Sequence, residues 1–255
     1  MIPALDLTGL SIRFGGVKAV DGVTAAIAPG EFVGLIGPNG AGKTTLIRII
    51  AGILRADAGV VRLSGVELTR EGTSARVRKG LALSHQIVRP FREMSVLENV
   101  VLAVGHRWTA NPLRALFHVA RGDETDVATQ ILAKVGLAGT ERKPAGSLPL
   151  GQLKRLELAR ALAMTPAVIL LDEPLAGLNH TEAMQQAETI AAVNAEGVTV
   201  VLVEHNLEQV IRVCRRLIVL NGGRVIADGE PQSVMADAQV REAYIGAGRE
   251  AHAEA

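Results

Sequence analysis

Apolar residues are distributed along this chain in distinct textures. Three runs are solidly apolar: Phe32-Val33-Gly34-Leu35-Ile36, Val168-Ile169-Leu170-Leu171 and Val198-Thr199-Val200-Val201-Leu202-Val203. Such runs suit parallel strands covered on both faces. Residues 5–27 carry shorter apolar stretches broken at Gly15-Gly16 and Asp21-Gly22, which read as antiparallel strands. Gly59-Val60-Val61-Arg62-Leu63 reads as a further strand of that sheet. Helical spacing in Thr45-Leu46-Ile47-Arg48-Ile49-Ile50 places a helix directly after the first solid strand. From about residue 89 to 164 the pattern is helical, with breaks at Gly105, Asn111-Pro112, Gly136, Gly139 and Lys143-Pro144. A helix over 181–195 then connects the last two solid strands by a right-handed crossover. Residues 217–228 read as a hairpin turning at Asn221-Gly222-Gly223. A last helix is expected over 232–244, followed by a mobile tail at 246–255. No internal repeat or low-complexity linker divides the chain.

Between the first solid strand and its helix lies Gly37-Pro38-Asn39-Gly40-Ala41-Gly42-Lys43-Thr44, which fits G-x-x-x-x-G-K-[ST]. Strand, glycine-rich turn and helix are the context this motif requires. The glycines let the backbone wrap a phosphate with its amides pointing inward. The following helix brings its positive end to the same place. Lys43 supplies a mobile charge for the outer phosphates, and the Thr44 hydroxyl is a hard oxygen ligand for Mg²⁺. The chain is therefore expected to bind a nucleoside triphosphate.

Composition narrows the partners. The 255 residues suit one large α/β domain with a smaller inserted lobe, and a 48% hydrophobic content allows a sizeable core. Net charge is +1, and aromatics make up only 2%, so neither a basic field nor stacking side chains invite nucleic acid. Cys214 is the single cysteine, which excludes an internal disulfide and a zinc site and suits a buried free thiol. The start of the chain lacks a signal-peptide pattern, and no apolar run is long enough to span a bilayer. A cytosolic protein held at a membrane by other subunits is the expectation.

The strand 168–171 ends in Asp172-Glu173, which puts two carboxylates at the carboxyl edge of the sheet, where such folds bind ligands. Asp172 is placed to hold Mg²⁺ through water, and Glu173 to polarise an attacking water. An acidic pair that merely caps the next turn is the alternative. With Gly37 to Thr45, Gln86, Gly151-Gln152, Asp172-Glu173-Pro174 and Glu204-His205 in this order, the chain resembles an ABC transporter ATPase subunit over residues 5–245. The resemblance implies an α/β P-loop NTPase core (1–88 and 165–245) with an antiparallel β subdomain and an inserted helical subdomain (about 89–164). It implies a head-to-tail dimer, each ATP held between one P-loop, including Thr45, and the partner's signature segment, here Gly151 and Gln152. Gln86 would sense Mg²⁺ and the attacking water, and His205 would contact the γ-phosphate. Phe14 matches the aromatic that stacks on adenine, with core packing as its alternative.

Two departures stand out. The signature reads Leu148-Pro149-Leu150-Gly151-Gln152, with Pro149 where the family usually has serine. A hydrogen bond to a charged group is worth roughly 1.5–3 kcal/mol, so its loss weakens that half-site by about ten- to a hundredfold. In Leu175-Ala176-Gly177-Leu178-Asn179, an asparagine replaces the family's cross-dimer aspartate. With Arg13-Phe14-Gly15-Gly16, Val88-Arg89-Pro90-Phe91-Arg92-Glu93-Met94 and Val203-Glu204-His205-Asn206, these features resemble the ATPases of branched-chain amino-acid importers. Such systems have two different ATPase subunits, transmembrane permeases and a periplasmic solute-binding protein. The resemblance implies a peripheral position on the cytoplasmic face of the inner membrane. Phe91, Met94, Val96 and Leu97 would anchor a coupling helix from a permease, unless they fill the lobe's own core. ATPases of urea or amide uptake, of lipopolysaccharide export and soluble ABC ATPases share parts of the pattern.

Overall fold

The computed structural model describes residues 1–84, 90–106 and 122–244. The sequence expectations for Gln86, Val88, Arg89, Asn111-Pro112 and the tail 246–255 lie outside the described residues.

A six-stranded sheet forms the middle layer. It contains β3 (Phe32–Ile36), β6 (Leu81–Ser84), β7 (Val168–Asp172), β8 (Thr199–Val203), β9 (Arg216–Asn221) and β10 (Arg224–Gly229), in the order β10-β9-β3-β8-β7-β6. From β9 to β6 neighbouring strands run parallel, and β10 closes one edge antiparallel. The solid apolar runs are explained by alternation within this layer. Phe32, Ile169, Leu171, Val200 and Leu202 enter one hydrophobic core, while Val33, Leu35, Val168, Leu170, Val201 and Val203 enter another. Each strand therefore has two covered faces and no polar side.

The second core lies beneath an antiparallel sheet of order β2-β1-β4-β5, formed by β1 (Leu5–Phe14), β2 (Val17–Ile27), β4 (Ala58–Leu63) and β5 (Val66–Glu67). The expected strand at 59–63 pairs with β1 as read. Asp21-Gly22 does not end a strand. The chain continues through it in β2, where the β1 register slips between Leu10 and Ile12, at a Gly22 with φ of 70°. A β-bulge absorbs the irregular pattern there.

Helix α1 (Lys43–Ile50) packs into this second core through Leu46, Ile47, Ile49 and Ile50. Its C-terminal carbonyls are met by Arg76 of α2 (Thr73–Arg78), whose guanidinium donates to Ile49 O at 2.7 Å and Ile50 O at 2.6 Å. The first core is covered by α3 (Val96–Val104), α4 (Gly122–Lys134), α5 (Leu150–Ala163), α6 (His180–Ala195) and α7 (Leu207–Val213). Helix α3 opens on a capping box in which Ser95 and Glu98 satisfy each other's backbone amides. The expected final helix is broken: α8 (Pro231–Ala236) ends before Asp237, and a second helical stretch occupies 238–244. Asp237 Oδ1 accepts from the Gln239 amide and so starts the second stretch. Cys214 is buried, and burial pushes its thiol well above the usual range, which fits an inert thiol.

Candidate functional site

The parallel strands bring the loops after β3, β7 and β8 to one edge. In register, Leu35 of β3 lies beside Val203 of β8, and Val203 lies beside Asp172 of β7. The glycine loop after β3, the acidic pair after β7 and His205 after β8 are thereby neighbours. Gln86 follows β6 in sequence but is outside the described residues.

Gly37 has φ of 148° and Gly42 has φ of 101°. A side chain at Gly37 would run into the Leu220 carbonyl, and one at Gly42 into the Ala19 carbonyl. Both positions need glycine for conformation and for space. Pro38 and Ala41 are buried, whereas Asn39 and Gly40 are exposed at the tip. Gly42 is the N-cap of α1, with no side chain capping the helix and no acidic residue in its first turn. The first-turn amides, from Lys43, Thr44 and Thr45, are left to an anion. Lys43 folds back so that Nζ donates to Gly37 O at 2.7 Å and Pro38 O at 3.0 Å. Burial pushes its ammonium below the usual range, and Glu173 and Asp172 partly restore it. The acidic pair is thus close enough to act on Lys43. The Tyr244 phenol oxygen is buried beside the Gly37 amide without reaching hydrogen-bond geometry, and burial pushes its pKa up to about 12.

Asp172 is buried at the end of β7. Glu173 has φ of 51°, uncommon for a residue with a Cβ, and its amide donates to Val203 O at 2.9 Å. Its carbonyl accepts from Lys154 Nζ at 3.2 Å. Glu204 is 1% exposed and accepts from the Leu175 amide at 2.7 Å. Burial pushes its carboxyl above the usual range, opposed chiefly by the Leu175 amide. His205 has a 61% exposed side chain, with Nδ1 3.8 Å from Glu204. The sequence reading assigned no work to Lys154 or Glu204. The available signal was a charge on the apolar face of a helix, four residues from Leu158, and a carboxylate ending a solid apolar strand.

Phe14 is half exposed in the β1–β2 hairpin, opposite Val17, rather than packed in a core. Gly151 and Gln152 occupy the first turn of α5, for which Pro149 is the N-cap with no side-chain hydrogen bond. Leu150 approaches Gly177 and Gly151 faces Glu182, so this turn sits against the loop that follows Glu173. Asn179 caps α6, accepting from the Glu182 amide at 2.9 Å.

A groove of about 480 Å³ opens where the helices meet β6, lined by Leu83, Phe91, Leu102, Glu157, Arg160 and Met164 among others. Asn99, fully buried, holds its rim by exchanging hydrogen bonds with the Phe91 backbone at 2.9 and 3.0 Å. Arg160 lies over the Phe91 ring at 5.2 Å. Of the four apolar residues expected to anchor a helix, Phe91 alone lines this groove. Val96 is fully buried in the first core and Leu97 packs against it, because the capping box at Ser95 turns that face inward.

Residues 20–176 match the ABC transporter family, and residues 224–250 match the branched-chain amino acid ATP-binding cassette transporter family. The chain is 36% identical over 250 residues to the high-affinity branched-chain amino acid transport ATP-binding protein BraF of Pseudomonas aeruginosa, spanning 96% of this chain and 98% of BraF. It is 35% identical over 224 residues to the lipopolysaccharide export system ATP-binding protein LptB of Acidithiobacillus ferridurans, spanning 88% and 89%. Its fold is similar to the crystal structure of the ADP conformation of MJ1267, an ATP-binding cassette of an ABC transporter, with a TM-score of 0.84 and 32% identity over 96% of this chain and all of MJ1267.

Proposed function

The chain belongs to the ABC transporter ATPase family and is an ATP-hydrolysing subunit of a transporter, and from that premise we propose that it powers uptake of branched-chain amino acids or related small solutes. The observation that carries the solute class is the match of residues 224–250, a segment beyond the residues 20–176 that match the general ABC transporter family.

In this reading the Gly37–Thr45 loop and the first turn of α1 bind the phosphates, with Lys43 turning from the Gly37 and Pro38 carbonyls toward them. The donors fit Mg²⁺: the Thr44 hydroxyl and the buried Asp172 carboxylate are hard oxygens, and few protein ligands suit a cation that also takes phosphate oxygens and water. When bound, Mg²⁺ would neutralise charge on the outer phosphates. Glu173 polarises the attacking water, His205 holds the γ-phosphate and Gln86 reports on both. Phe14, half exposed, stacks on the adenine. Gly151 and Gln152 offer the amides at the start of α5 to the partner's nucleotide.

The helical subdomain, about 89–164, carries the groove at Phe91, which supports docking of a short helix from a permease. Leu102 and Met164 give it an apolar floor, and Glu157 and Arg160 give it a polar handle. A second, different ATPase subunit completes the dimer, and a periplasmic solute-binding protein delivers solute to the permeases. The complex sits on the inner membrane with this chain on the cytoplasmic face. No helix among the described residues is long and apolar enough to cross a membrane.

The deciding experiment is ATP-dependent uptake of labelled leucine into vesicles holding the co-purified complex. Uptake that Glu173→Gln abolishes supports the reading. Co-purification with lipopolysaccharide-export or amide-uptake components would replace the solute class, and failure to pellet with membranes would favour a soluble role.

A further inference from the structure

Two buried charges close to Glu173 have no place in the reading above. Lys154 is 4% exposed and Glu204 is 1% exposed, although charged groups rarely enter an interior unless they are paired and hydrogen-bonded there. They come from different elements, the second turn of α5 and the end of β8, and they meet the same short segment. Lys154 Nζ donates to the Glu173 carbonyl at 3.2 Å, and Glu204 Oε1 accepts from the Leu175 amide at 2.7 Å. The left-handed φ of 51° at Glu173 lies immediately before the first of these anchors. A residue with a Cβ keeps that conformation only where its surroundings impose it. The Glu173 amide is also tied, to Val203 O at 2.9 Å. Glu204 reaches the neighbouring loop as well: Oε2 is 3.4 Å from the His205 amide and 3.8 Å from its Nδ1.

We propose that Lys154 and Glu204 are positioning residues that clamp the 173–175 turn from two sides, fixing where the Glu173 carboxylate points and keeping His205 beside it. The proposal rests on the reading of Glu173 as the residue that polarises water. Neither side chain need touch nucleotide. Because Lys154 lies on α5, whose first turn carries Gly151 and Gln152, the clamp also ties the orientation of that helix to the carboxylate.

The test uses the full chain in the complex and measures ATP affinity, phosphate release and thermal midpoint for each variant. Lys154→Met and Glu204→Ala should each lower kcat by about ten- to a hundredfold, since a misplacement near 1 Å can have that effect. ATP affinity should stay within about twofold, because the phosphate loop is untouched. Glu204→Gln keeps an oxygen for the Leu175 amide and should recover most of the kcat lost in Glu204→Ala. A purely structural role would lower the thermal midpoint without this split between kcat and affinity. Lys154→Met or Glu204→Ala with kcat within threefold of the parent, or with kcat and affinity falling together, overturns the proposal. So does a Glu204→Gln variant as slow as Glu204→Ala. Should Glu204→Ala not fold, Lys154→Met still decides it by the split between kcat and affinity. Glu173→Gln separates the levels: if it abolishes turnover while Lys154→Met and Glu204→Ala keep kcat within threefold of the parent, the clamp alone fails; if it turns over normally, the premise fails and the clamp with it.

Discussion

Lys43 holds its ammonium on two carbonyls of its own loop, which in the proposed function it exchanges for phosphate oxygens. Lys43→Ala should therefore cut ATP affinity by about ten- to a hundredfold, the worth of a charged hydrogen bond, and turnover with it. Equilibrium binding of a fluorescent ATP analogue checks the first effect, and unchanged affinity would remove the loop from phosphate binding. Glu173→Gln has the opposite signature: ATP binds as before while phosphate release falls by about 10² to 10⁴. His205→Ala should follow the same pattern, measured in the same assay. Lys43 and Glu173 were legible as candidates in the sequence because the local geometry of each is written in its neighbours, glycines before Lys43 and a solid strand before Asp172; His205 was a candidate through the resemblance alone. Lys154 and Glu204 were not. Their significance depends on a turn that folds between them from elsewhere in the chain, and no local pattern encodes that meeting.

At the scale of elements, the strongest local signals were the strands buried on both faces, since nothing else produces such unbroken apolar runs. Short elements escaped the reading. Strand β6 has four residues and α2 has six, too few for a period to declare itself. Yet α2 contributes Arg76, which is 2% exposed and holds the last carbonyls of α1. Arg76→Ala should destabilise the fold by about 2–3 kcal/mol, because two buried carbonyls lose a charged donor. Urea unfolding measures this, and ATP affinity should change little, since the phosphate loop is at the other end of α1. The expected helix over 232–244 failed at Asp237, where a side-chain cap restarts the helix and periodicity alone cannot show the break. The four apolar residues expected to act together between 91 and 97 were divided by the capping box at Ser95, with Val96 inward and Phe91 at the groove.

At the scale of the whole molecule, the two departures from the family pattern meet in the proposed dimer. Pro149 caps α5 through its carbonyl, which accepts from Leu153 N at 3.0 Å, and offers no hydroxyl across the interface. Pro149→Ser should tighten ATP at the partner's site and leave this chain's own site nearly unchanged, read by site-specific ATP titration of the assembled complex. Equal affinities at the two sites before the change, or none gained after it, would mean that the backbone amides near Gly151 suffice. The layer order was legible because antiparallel and parallel textures differ, whereas the groove was legible only at the 91–99 segment, since its other walls come from segments far apart in sequence. The sheet's two ends have their own consequence. On one side β6 is only four residues long with α2 and α5 packed on it. On the other, β10 is short and half-buried, and charged at Arg224 and Asp228, which bind Asp21 and Arg216. Among the described residues, neither border of this sheet presents a long, bare ribbon to which a stray strand could add. This sheet should therefore not seed fibre-like stacking when copies are made in excess of their membrane partners.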